Sequence, residues 1–127
     1  SSTSQPSGAG AAIWMLDAQR KLQTYCFDGT GTLTSGLSST VLTYGNWYNV
    51  VFLHTGTAYQ VYINTKLDIN VPQTGFTTLG INITAGMLRA SFFPMNGYIS
   101  NAFFYNKALS EQEIRQNYNA LRGRFGV

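Results

Sequence analysis

Met95-Asn-Gly-Tyr-Ile-Ser-Asn-Ala-Phe-Phe-Tyr-Asn-Lys-Ala-Leu-Ser-Glu-Gln-Glu-Ile-Arg-Gln-Asn-Tyr-Asn-Ala-Leu-Arg-Gly-Arg-Phe-Gly-Val127 spells a turn, a strand and a helix in that order. Asn96-Gly97 is a turn pair, because both residues tolerate the left-handed backbone a tight turn requires. Tyr98 to Tyr105 alternate as a strand would, and Ser110 opens a helix with Glu113 placed to complete a capping box. In that box each side chain satisfies a backbone donor that the first helical turn leaves free. Ile114, Tyr118 and Leu121 recur at near-helical spacing, which gives the helix an apolar face to bury. The expected helix covers residues near 111–121.

Working outward, the rest of the chain is short apolar runs punctuated by glycine, the pattern of an all-β sandwich. Strands are expected at Ile13–Asp17, Leu22–Phe27, Thr40–Thr43, Trp47–His54, Ala58–Asn64, Lys66–Asn70, Thr77–Ile83, Arg89–Pro94 and Tyr98–Tyr105. The segment Asp28-Gly-Thr-Gly-Thr-Leu-Thr-Ser-Gly-Leu-Ser-Ser39 is rich in small polar residues and reads as a connector or a functional loop. The chain opens with Ser-Ser-Thr-Ser-Gln-Pro-Ser-Gly-Ala-Gly10, a composition typical of linkers. The expected organisation is a flexible linker or processed N-terminus at 1–12 and one domain at 13–127.

The ordered landmarks resemble the laminin-G-like, concanavalin-A-type jelly rolls. Their closing motif is a Gly-x-Ile strand followed by Tyr-Asn-x-Ala-Leu-Ser-x-x-Glu-Ile, which matches Gly97 to Ile99 and Tyr105 to Ile114. Gly45-Asn-Trp-Tyr-Asn-Val-Val51 resembles the family's Trp-x-x-Val strand, and Tyr59-Gln-Val-Tyr-Ile-Asn64 its Tyr-x-Asn strand. The ending Gln116 to Gly126 is similar to versions found in structural proteins of tailed phages, marine ones included. This resemblance runs from about residue 40 to the end and implies an antiparallel two-sheet jelly roll, shortened at its N-terminus, with one C-terminal helix. It also implies a virion surface or extracellular setting.

Composition constrains function separately. A chain of 127 residues with 44% hydrophobic and 10% charged residues is less than half as charged as the roughly 25% of a typical domain. Its surface must therefore be made of Ser, Thr, Asn, Gln and Tyr, which suits contact with sugars or other proteins. The net charge of +3 comes from eight cations against five anions. Arg115, Arg122 and Arg124 gather at the C-terminus, where cations favour the negative end of a helix; no nucleic-acid partner is expected from so small a footprint. No apolar run approaches the roughly 18 residues that span a bilayer, so no membrane partner is expected. Cys26 stands alone and lies in an alternating run, which reads as a buried thiol in a strand.

Enzymatic chemistry is not expected, and neither is a cofactor. Glycosidases of this general fold set two carboxylates across the sugar bond, whereas Glu111 and Glu113 both fall in the first helical turn and Asp17, Asp28 and Asp68 are scattered. His54 has no Ser or Cys at a legible triad spacing. Laminin-G-like and pentraxin-like jelly rolls often hold calcium at a sandwich rim, but Asp28 is the one carboxylate in a plausible rim loop. A calcium ion wants about six to eight oxygens, so no metal is expected.

Two binding roles remain. Trp47 to His54 and Tyr98 to Tyr105 carry apolar residues on both alternating faces, so the outer face of each must meet something: a subunit, another part of the parent protein, a sugar, or the terminal helix folding back. Relatives commonly carry an acidic pair and basic residues after the Gly-x-Ile; here those positions are Ser100, Asn101, Ala102 and Phe103. Asn101, Phe103 and Tyr105 are therefore candidates for a protein interface, with other virion proteins or a second copy as partner. The alternative is a lectin-like site for a host glycan, drawing on Tyr44, Asn46, Tyr59, Tyr62, Asn64 and Asn82, since sugars need an aromatic platform and nearby amides. Trp47 is expected in the core. Asn82-Ile-Thr84 is a glycosylation acceptor only on a eukaryotic secretory route.

Overall fold

A computed structural model describes residues 11–16, 18–27, 33–75, 87–88, 92–94 and 97–126. The strands are β1 (Ala11–Leu16), β2 (Lys21–Phe27), β3 (Leu33–Leu37), β4 (Val50–His54), β5 (Ala58–Ile63), β6 (Lys66–Pro72), β7 (Met87–Leu88) and β8 (Phe92–Pro94). They are followed by the helix α1 (Glu111–Leu121) and a single tight turn at Arg122–Arg124. Strands β1-β2-β3 form one antiparallel sheet, β4-β5-β6 a second, and β7-β8 a short ladder. The expected all-β, two-sheet architecture with one C-terminal helix is what the chain adopts.

Alternation explains β2. Leu22, Thr24 and Cys26 are buried while Lys21, Gln23, Tyr25 and Phe27 are half-buried, so one face of the strand looks into the sandwich. Facing it, Tyr59 and Val61 of β5, with Ile63, and Ile69 of β6 complete a core between the two sheets, and Phe52 of β4 packs at its side. Phe52 and Tyr59 stack with ring centroids 5.7 Å apart. Polar atoms in this core are paired, as burial demands. The Thr24 hydroxyl donates to the Tyr59 oxygen at 3.3 Å, and the Cys26 thiol donates to Gln73 Oε1 at 2.9 Å. Gln73 also donates from Nε2 to the Cys26 carbonyl at 3.1 Å, while its Oε1 lies 3.1 Å from His54 Nε2. One buried amide thus joins β2 to β4.

The second sheet has a further layer. Leu53 of β4, Tyr62 of β5 and Ile114 of α1 form a separate buried cluster, with Val51 and Leu109 against it. Val51 and Tyr62 are opposite each other in the β4-β5 register, so they share the face that α1 covers. This is why Val61, Tyr62 and Ile63 are all buried in sequence: β5 lies between a sheet on one side and a helix on the other.

The helix is set by its own ends. Ser110 accepts from the Glu113 amide at 3.2 Å, and Glu113 accepts from the Ser110 amide at 2.9 Å, closing the expected capping box. Lys107 Nζ adds an ion pair to Glu113 at 2.6 Å, and together these hold the Glu113 carboxyl below its ordinary value. Arg122 lies over the Tyr118 ring, 5.6 Å from its centroid.

Several expected elements are corrected. The supposed connector contains β3, which pairs with β2 from Gln23↔Leu37 to Phe27↔Leu33. Its composition hides it, because Gly36 is there for a close approach: a Cβ at that position would lie 2.5 Å from Ile69 Cγ2 and 3.1 Å from the Tyr59 hydroxyl. Thr40–Thr43 is not a strand; Asp68 instead accepts from the Ser39 amide at 2.6 Å, the Thr40 amide at 3.1 Å and the Thr40 hydroxyl, which pins this segment to β6. The strand expected from Trp47 begins at Val50, and that expected at Ile13 begins at Ala11. Tyr98–Tyr105, expected as a strand, forms no ladder with any described strand. The expected strand at Thr77–Ile83 lies outside the described residues, as do Asp17 and Asp28.

Candidate functional site

Residues 98–105 form the most apolar exposed surface among the described residues. Tyr98 is 86% exposed, Phe104 64% and Phe103 62%, and Ile99 and Tyr105 are about half exposed. Their neighbours Ser100, Asn101 and Ala102 are exposed as well. Among the described residues, one side-chain bond restrains the strip, from Asn117 Nδ2 on α1 to the Tyr105 hydroxyl at 3.3 Å. Single exposed apolar residues are ordinary, whereas clustered ones are not. Asn101, Phe103 and Tyr105, expected at an interface, therefore stand together in the open. Tyr98 and Phe104 are exposed with them, so the strip is apolar on both sides.

A second surface is built on the turn at 43–48. Gly45 supplies a positive φ of 82° that lets the chain reverse behind Tyr44, whose ring is 71% exposed. Thr43 fixes the turn from both atoms: its amide donates to the Tyr48 hydroxyl at 2.9 Å and its own hydroxyl lies 2.9 Å from the same oxygen. These bonds hold the Tyr48 phenol below its ordinary value. Asn46 Nδ2 donates to the Thr43 hydroxyl, and Asn46 is exposed. Trp47 is not in the core as expected; it is 37% exposed and tilts against Phe125, with centroids 4.9 Å apart. Arg124 lies 5.8 Å over the Phe125 ring. Tyr44, Asn46 and Trp47 thus present aromatic and amide groups on one braced turn.

Of the six residues expected to form a glycan platform, the five that are described do not all come together. Tyr59 is fully buried between the sheets and Tyr62 is buried under α1, because positions 59 and 62 fall on opposite faces of β5. Burial raises both phenols above their ordinary value, and the Glu111 carboxylate beside Tyr62 adds to its shift. Asn64 is a turn residue: with Thr65 it has positive φ in the β5-β6 hairpin, and it exchanges bonds of 2.9 Å with the Asn49 backbone. Asn82 lies outside the described residues. Tyr44 and Asn46 remain on the surface, and Trp47 is the partner that residue type alone placed elsewhere.

The polar groups around Gln73 are engaged in structure. An open hollow of about 310 Å³ is lined by Thr34, Thr57, Pro72, Gln73 and Thr74. Its one buried polar residue, Gln73, already spends both amide atoms on Cys26 and His54. The Gly56 amide donates to His54 Nδ1 at 3.0 Å, which leaves Nε2 to donate to Gln73. Burial pushes the Cys26 thiol up to about 11, away from the thiolate form that reacts. Among the described residues no group of three or more His, Cys, Asp or Glu is placed to hold a metal ion. No helix there is long and apolar enough to cross a membrane.

Two stacked antiparallel sheets with a helix laid on the outer face of one define a β-sandwich of the lectin-like kind. The chain belongs to the concanavalin A-like lectin/glucanases superfamily, laminin G type, whose profile matches residues 1–115. It is also similar to the crystal structure of residues 221–444 of an S-layer domain-containing protein from Clostridium thermocellum, with a TM-score of 0.54 and 15% identity. That match covers 93% of this chain and 66% of the other, so the chain spans just under two thirds of the solved domain. No curated protein sequence matches it.

Proposed function

We propose that this domain is a non-catalytic assembly module of a surface structural protein, on a virion or in another extracellular array, and that residues 98–105 dock against another protein chain. The carrying observation is the strip itself, on which Tyr98, Ile99, Phe103, Phe104 and Tyr105 are all exposed. The similarity of the chain's ending to tailed-phage structural proteins supports the virion setting, and the S-layer neighbour is itself a surface protein by its name. A non-catalytic role is supported by the carboxylates: Glu113 caps α1, Glu111 sits beside Tyr62, and Asp68 pins the 39–40 segment. Phe103→Asp introduced into the assembling parent protein is expected to abolish assembly by light scattering and electron microscopy. Particles or arrays that form normally with Phe103→Asp would remove this reading.

The braced turn at 43–48 supports a second reading, as a glycan-binding edge. An exposed tyrosine with an indole and an exposed amide on the same turn supplies the apolar wall and placed polar group that a pyranose requires. On a glycan array, Tyr44→Ala is expected to lose signal with the fold intact. A blank array for the unaltered chain removes the glycan reading and leaves the assembly one standing.

A further inference from the structure

The strip at 98–105 has a property beyond its exposure: its sequence is matched to itself in reverse. About Asn101, Ser100 mirrors Ala102, Ile99 mirrors Phe103 and Tyr98 mirrors Phe104. Small residues thus face small ones, and large apolar residues face large apolar ones. No backbone hydrogen bond joins residues 98–105 to any described residue. An exposed segment whose N–H and C=O groups meet no described residue is a template for strand addition. From Ser91 to Asn106 the chain carries no charged residue, so two copies of a chain of net charge +3 can bring these segments together without opposing like charges.

We propose that two copies pair antiparallel through this segment, with Asn101 facing Asn101 across a two-fold axis. The proposal rests on the assembly reading of the same strip and names its partner. Antiparallel strands related by a two-fold axis keep each residue on its own face of the joint sheet, so only registers centred on a residue are admissible, and a slip by one exchanges the faces. The register centred on Asn101 sets Tyr98 against Phe104 on one face and Ile99 against Phe103 on the other, and the axis repeats each pair. Aromatic and aliphatic cross-strand pairs of this type stabilise a ladder, and the two amides on the axis can bond to each other. Tyr105 then falls opposite Gly97, where a ring covers an otherwise bare backbone. Centring on Ala102 instead sets Ser100 against Phe104 and Asn101 against Phe103; centring on Ser100 sets Tyr98 against Ala102. Both mismatch polar or small residues with large apolar ones.

The register is tested by cysteine placement under mild oxidation. Cys26 is fully buried and does not compete. In the proposed pair, two cysteines at position 101 lie directly opposite, within reach of a disulfide, while two at position 100 are offset diagonally beyond it; Asn101→Cys should give about tenfold more covalent dimer than Ser100→Cys. Sedimentation of the unaltered chain should show a concentration-dependent dimer that Phe103→Asp removes. Equal cross-linking at positions 100 and 101 would overturn the register, and a chain that stays monomeric at every concentration would overturn self-pairing. If the chain is monomeric yet Phe103→Asp still abolishes assembly of the parent, the strip docks on a different chain, so self-pairing fails and the assembly reading survives. If Phe103→Asp changes neither, both fail.

Discussion

Strand β4 and the segment 98–105 are written in the same way and end in opposite surroundings. Each alternates with large apolar residues on both faces, which for an antiparallel sheet leaves the outward set in need of cover. For β4 the cover exists: Val51 and Leu53 face Ile114 and Leu109, while Phe52 faces the inter-sheet core. For 98–105 no described element supplies it, and Tyr98, Ile99, Phe103, Phe104 and Tyr105 stand exposed. A two-sided apolar pattern therefore reports a requirement for two partners, and only the fold decides whether the chain supplies both. Here the helix that follows the second segment covers the first.

The contrast is broken most forcefully at Ile114, the one fully buried residue of α1. Ile114→Ala should cost about 2–5 kcal/mol by urea denaturation, since it removes the apolar plug between α1 and Leu53 and Tyr62. It should also expose the outer face of β4, seen as dye binding to newly bared apolar surface. A loss below about 1 kcal/mol would mean that the helix does not cover that face in the way the buried cluster requires.

The inner face of the same sheet is tested at Gly36. Gly36→Ala places a methyl 2.5 Å from Ile69 Cγ2, which should force the sheets apart at a cost of about 1–3 kcal/mol. The same core responds to pH through Cys26. Below pH 9 the thiol is neutral in both states and has no effect. Above it the unfolded chain loses the proton first, because the folded value is raised to about 11. Stability should therefore fall between pH 9 and 11, on the order of 2 kcal/mol, and Cys26→Ala should flatten that fall.

A smaller effect is expected at the helix start. Ser110→Ala removes the acceptor for the Glu113 amide and should cost about 1 kcal/mol. Because it loosens the cover and leaves Ile114 in place, it should weaken the β4 side of the contrast without baring it. Glu113 adds a pH dependence of its own: its depressed carboxyl contributes at neutral pH, and that contribution should fade as pH falls through the carboxylate range.

What could be read from the residues, and what could not, follows from the range of the interactions. The helix at 111–121 was legible because a capping box is local: Ser110 and Glu113 satisfy each other whatever surrounds them. The alternation in β2 was legible for the same reason. Strand β3 was not, because Leu33-Thr-Ser-Gly-Leu37 earns its place through β2 and through the space at Gly36, both distant in sequence. The glycan candidates were half legible. Tyr44 and Asn46 belong to a turn that Gly45 announces, but the fate of Tyr59 and Tyr62 depends on β5 being covered on both faces. Trp47 was misplaced because an indole ahead of a strand suggests core, while the ring that meets it, Phe125, is at the far end of the chain.

The bare side of the contrast carries the smallest expected change in stability. Phe103→Ser truncates an aromatic ring that is 62% exposed, so denaturation of the dilute chain should move by no more than about 0.5 kcal/mol. In a strand covered on both faces, as β5 is, the same change would cost several times that. At high concentration the unaltered chain should gain stability through association, and the variant should not, because binding that selects the folded state raises its melting temperature with concentration. Melting curves of both proteins across a hundredfold dilution series separate the alternatives. If Phe103→Ser costs as much as a core truncation when dilute, the ring is packed within its own chain and the strip is not a surface. If it costs little, and the two proteins diverge only as concentration rises, the ring does its stabilising between chains.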